Sequence, residues 1–153
     1  MREVEVVGVR VEMPTNQPLV LLRETEGSRY LPIWIGAVEA SAIAYAHQGT
    51  ATVRPLTHEL MQHVVEALGD ELDEVRIVDV HDGVFHALLV FASGAEVEAR
   101  PSDSIALALR AGARIVCTED VLDEAGIAST TEEDAEVEKF REFLDDVEPE
   151  DFE

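Results

Sequence analysis

The stretch EVRIVDVHDGVFHALLVF (Glu74 to Phe91) leaves a chain little choice. Two runs rich in β-branched and aromatic residues flank the pair Asp82-Gly83, both of which accept the positive φ that a tight hairpin turn demands. A further turn at Ser93-Gly94 leads into Ala95 to Arg100, so this half of the chain reads as a three-strand meander. The first half is built alike. Apolar residues alternate from Val4 to Met13 with a phase slip at Val6-Val7 beside Gly8, which predicts a strand with a bulge. Leu19 to Glu24 and Tyr30 to Ile35 predict a hairpin around Glu26 to Ser28, and Pro32 belongs at an edge or at the first paired position of its strand.

Each set of strands runs into a helix. Ala37 to His47 is unusually apolar, and Ser102 to Ala111 is almost wholly aliphatic after Asp103. Between them Thr57, as an N-cap, opens a helix to Leu68 with Met61, Val64, Val65 and Leu68 at core spacing; Arg114 to Cys117 adds a short strand. The pattern predicts an α+β domain: a mixed, largely antiparallel sheet packed with helices, with a repeat of strands then helix that hints at internal duplication. Residues 1–125 form this domain and 126–153 an acidic tail. There Thr131 resembles a cap, and Val137, Phe140, Phe143, Leu144 and Val147 fall on one face of a helix. That face would dock on its own domain, contact another subunit, or ride on a mobile arm.

Charge narrows the function. The net charge is -22, of which -8 falls on Met1 to Thr118 and -14 on Glu119 to Glu153. Non-specific binding to polyanions rests on Lys and Arg displacing counterions, so this composition opposes it. A single cysteine, Cys117, excludes an internal disulfide and suits a reducing compartment. No apolar run approaches the ~18 residues of a membrane span, and the chain reads as cytoplasmic.

Chemistry can sit on few residues. Glu39 shares its helix face with Ile43 and Ala46, where a carboxylate must find a hydrogen bond, an Arg or a metal. Arg54 and Arg100 each precede a proline and then a Thr or Ser able to cap a helix, Thr57 and Ser102 (RPLT, RPSD). Proline holds the residue before it extended, so both guanidinium groups leave from a fixed backbone beside helix N–H groups, as an anion site or as internal salt bridges to Glu39 and Asp103. His58, at a helix start that disfavours positive charge, suits a general base or ligand in its neutral form. Glu59 beside it could cap or ligate. Asp103 suits the helix dipole, and if it converges with Glu39 and His58 the three could hold Mg²⁺ or Mn²⁺. Cys117 is most simply a core residue.

The blocks LPIWIGAVEASAIA, RPLTHELM, DGVFHALLVF and EARPSDSIALALR resemble the bifunctional nuclease domain family over Val4 to Ala125, and the long acidic tail resembles an actinobacterial member. The resemblance implies a compact α+β domain, often a homo-oligomer, with nuclease activity on DNA and RNA attributed to some members. It points to Glu39, His58 and Asp103 as catalytic residues, Glu39 and Asp103 as metal ligands, and Arg54 and Arg100 as binders of nucleic acid. Where family blocks often carry Asp after RPLTH, this chain has Glu59. The competing expectation, which the -22 charge favours, is a non-catalytic oligomeric scaffold or small-anion-binding domain.

Overall fold

Among the described residues seven strands form one sheet in the order β3-β2-β1-β7-β4-β5-β6. A computed structural model describes residues 1–50 and 52–127; the expected tail helix lies outside them. The strands are β1 (Arg2–Glu12), β2 (Gln17–Glu24), β3 (Tyr30–Trp34), β4 (Leu72–His81), β5 (Val84–Phe91), β6 (Glu96–Ala99) and β7 (Arg114–Cys117). The helices are α1 (Ala37–Gln48), α2 (Thr57–Ala67), α3 (Pro101–Ala111) and α4 (Glu119–Ala125).

The sheet consists of two antiparallel meanders, β1-β2-β3 and β4-β5-β6, with β7 between β1 and β4. β7 runs antiparallel to β1 and parallel to β4. Each meander passes into a helix, α1 or α3, so the repeated plan read from sequence is a feature of the fold. The β1 bulge falls between Val6 and Gly8, as the phase slip predicts. Asp82 and Gly83 have φ of 51° and 78°, the two positive values of a type I′ hairpin. Pro32 lies in the edge strand β3, where a missing N–H costs no central ladder bond.

Helices α1 and α3 pack against each other, α1 also on β1 and β2, α3 on β4, β5 and β7. Their buried residues are mostly small: Ala40, Ile43 and Ala46 on α1, and Ser104, Ile105, Ala106 and Ala108 among those on α3. One continuous core joins Ala40, Ile43, Ile105, Ala106 and Ala108 to Val20, Leu22, Val75, Ile77, Ile115 and Cys117. Burial pushes the Cys117 thiol up to about 12, which keeps it protonated and inert.

Three expectations need correction. Thr57 is the first residue of α2 rather than its cap; extended Leu56 holds that place with no side-chain cap. Ser102 likewise lies inside α3, whose N-cap is Arg100 and whose first residue is Pro101, a position where the missing N–H is harmless. Finally, the apolar stripe of α2 is not core: Met61, Val64 and Leu68 are exposed and no residue of α2 is buried. Helical periodicity marks an apolar face without saying what covers it, and α2 packs chiefly on α3.

Candidate functional site

Glu39 and Asp103 occupy equivalent places, each the third residue of its helix, α1 or α3. Arg100, the cap of α3, lies between them. Its Nη1 donates to Glu39 Oε1 at 3.1 Å, and its Nε donates to Asp103 Oδ2 at 3.0 Å. Asp103 Oδ1 in turn meets Nε2 of His58, the second residue of α2, at 3.1 Å. The result is a ladder, Glu39–Arg100–Asp103–His58, strung across the N-termini of three helices. Each such terminus carries a partial positive charge, worth roughly half an elementary charge, which favours anions locally within an acidic protein. The two carboxylates hold Arg100 above the ordinary arginine range, Asp103 contributing most and Glu39 next.

The backbone makes room for this arrangement at Gly36, the cap of α1. A Cβ there would lie 2.3 Å from Glu39 Oε2, because the carboxylate folds back over the helix start. Arg100 is 64% exposed, Asp103 39%, Glu39 24% and His58 17%, so the ladder grades from solvent into a half-buried imidazole.

Four of the five expected residues thus meet, and Arg54 does not. Its side chain forms no hydrogen bond or ion pair among the described residues and lines neither cavity beside the ladder. The two Arg-Pro seams differ in register: Arg100 directly precedes the first helical residue, whereas Arg54 stands three residues before Thr57. Glu59 turns away too, toward Arg110 at 3.9 Å. Among the described residues no three His, Cys, Asp or Glu side chains are arranged to hold a metal; between Glu39 and Asp103 stands a guanidinium.

Two cavities flank the ladder, of about 380 Å³ and 480 Å³. Glu39 and Arg100 line both, so their ion pair forms a shared wall. His58, Asp103, Val38, Met61 and Val97 line the larger one. Trp34, Phe85 and Ser102 line the smaller, and sequence reasoning passed over them. Strand parity carried the signal for Trp34: Leu31, Ile33 and Ile35 are buried, which turns Trp34 out to 50% exposure. Also unforeseen was an ion-pair cluster. The Glu24 carboxylate, 3% exposed, accepts from Arg29 Nε at 2.6 Å and Arg2 Nε at 2.9 Å, and Arg29 reaches Glu119 and Asp123 of α4.

Comparison with known proteins agrees with the resemblance. Two uncharacterized proteins of Mycobacterium tuberculosis, from strains CDC 1551 / Oshkosh and ATCC 25618 / H37Rv, are each 54% identical over 161 residues, covering 99% of this chain and 98% of the relative. No helix among the described residues is long and apolar enough to cross a membrane. The bifunctional nuclease domain matches residues 20–130, a span that contains Glu39, His58, Arg100 and Asp103, and the chain belongs to that family.

Proposed function

We propose that the protein hydrolyses phosphodiester bonds of DNA and RNA at the Glu39–Arg100–Asp103–His58 ladder. The observation that carries this reading is the pairing of an oriented imidazole with a solvent-facing guanidinium on one carboxylate, Asp103. With Nε2–H donated to Asp103, His58 keeps the lone pair on Nδ1 and can take a proton from water. Arg100 has more N–H donors than its two carboxylates use, and a phosphate diester would draw the remainder. Neutralising the phosphate lowers the cost of attack by water, and a donor fixed beforehand needs no reorganisation as charge develops.

Mg²⁺ or Mn²⁺ enters this scheme on one condition. Arg100 must leave the carboxylates for the substrate phosphate, after which Glu39 and Asp103 offer hard oxygen donors to the ion. A bound ion would supply an acidified water and further charge stabilisation. The same reading takes the protein as a homo-oligomer, since α2 leaves apolar surface that a second copy could cover.

The test is cleavage of single-stranded DNA and of RNA by highly purified protein, with Mg²⁺, with Mn²⁺ and with chelator. Asp103→Asn and His58→Ala are each expected to lose about a hundredfold or more in rate. Unchanged activity in Asp103→Asn would assign the cleavage to a contaminant. The alternative, a non-catalytic anion-binding or scaffold domain, is favoured by the net charge of -22 and by the carboxylates that already neutralise Arg100. It predicts phosphate or nucleotide binding with no turnover under any metal condition.

A further inference from the structure

The smaller cavity shares only the Glu39–Arg100 wall with the ladder, and its other walls are unusual in two ways. Trp34, the sole tryptophan of the chain, lines it while half exposed. Ser102, only 7% exposed, also lines it, and its hydroxyl has no hydrogen-bond partner among the described residues. The hydroxyl oxygen itself is not among the buried unpaired atoms, so its donor and its acceptor sites stay open to whatever enters the cavity. Phe85 and Val84 add apolar surface, and Arg100 closes the wall toward the ladder.

An aromatic face, a hydroxyl open to the cavity and an adjacent guanidinium match the three parts of a nucleotide: ring, polar ring edge and phosphate. We propose that this cavity is a subsite for one unpaired nucleobase of single-stranded DNA or RNA. The base stacks on Trp34, a hydrogen bond from the Ser102 hydroxyl fixes its edge, and the attached phosphate meets Arg100. Stacking tolerates any base, since each has a π face, so the subsite selects strandedness rather than sequence. A cavity of about 380 Å³ lies at the small end of ligand sites, and only a base freed from its stack can lay a face on Trp34. For the role of Arg100 the inference rests on the phosphodiester reading of the ladder; for the stacking it does not.

Because Trp34 is the only tryptophan, its fluorescence reports stacking without turnover. The full chain is titrated with a short single-stranded thymidine oligonucleotide, its uridine RNA counterpart, a matched duplex and inorganic phosphate. Saturable quenching by both single strands is expected, at least about tenfold weaker by duplex, and none by phosphate. Affinity is measured independently from the anisotropy of a labelled oligonucleotide. There Trp34→Ala should lose about tenfold to a hundredfold and Trp34→Phe much less; Ser102→Ala should lose about twofold to tenfold. Unquenched fluorescence at saturating oligonucleotide, equal quenching by duplex, or unaltered affinity in Trp34→Ala would overturn the subsite. Quenching without cleavage under any metal condition would uphold the subsite and sink the hydrolytic reading. Cleavage with Trp34 unquenched and KM unchanged in Trp34→Ala would do the reverse.

Discussion

A guanidinium between two carboxylates has little freedom, and the geometry at Arg100 depends on its planar fork. A lysine ammonium is a point charge on a flexible stem and cannot reproduce two directed bonds to Glu39 and Asp103. Arg100→Lys should therefore lower oligonucleotide affinity about tenfold or more, while the melting transition shifts little because Arg100 is exposed. Gly36 offers a finer probe. A methyl group there collides with the end of the Glu39 side chain, not with backbone, so the carboxylate can rotate away and the helix can survive. Gly36→Ala is expected to match Glu39→Gln in activity and to add nothing to it in the double variant. Independent, additive losses would show that Gly36 acts through something other than Glu39.

At the scale of elements, the β4-β5 turn and the tether of α4 are the points most exposed to test. Gly83, at φ 78°, has a backbone that a side chain strains, and Gly83→Ala should cost about 1–2 kcal/mol in urea unfolding. The tether centres on Glu24. Its carboxyl is held below the usual range chiefly by the bond from Arg29, against the opposing effect of burial. A carboxyl depressed in the folded state gives stability that is complete above its unfolded value, about 4.3, and that is lost as pH falls through the folded value. The melting temperature should thus decline below about pH 4 in part through Glu24, and Glu24→Gln should remove that part. At neutral pH the same variant should destabilise by about 3 kcal/mol, the low end for breaking a buried pair, since Arg29 keeps Glu119 and Asp123. A pH profile unchanged by Glu24→Gln would place the acid sensitivity elsewhere.

Over the whole molecule, the charge of -22 and the bare face of α2 pull in opposite directions. Like charge keeps copies apart, whereas Leu60, Met61, Val64 and Leu68, each at least 40% exposed, favour contact. If α2 seats a second copy, Leu60→Asp should shift the sedimenting mass toward the monomer, and added salt should shift the parent protein toward the oligomer by screening repulsion. A mass unaffected by either change would place any subunit contact away from α2.

The local features were legible because they depend on neighbours only a few residues away. The bulge beside Gly8, the Asp82-Gly83 turn, the edge position of Pro32 and the acidic residues in the first turns of α1 and α3 all follow from parity, turn chemistry and helix polarity. Reading caps from residue type went wrong at Thr57 and Ser102: Leu56 caps α2, and Pro101 is already the first residue of α3. It misplaced Arg54 with them, since the side chain's direction depends on that register. The sequence by itself determined which residues have charge or a ring to offer and which helix ends hold them. Only the tertiary structure decided that they meet: Arg100 reaches Glu39 across 61 positions, and His58 reaches Asp103 across 45. Those distances are closed by the sheet and by the packing of α1 and α2 on α3, long-range burial that no local pattern encodes.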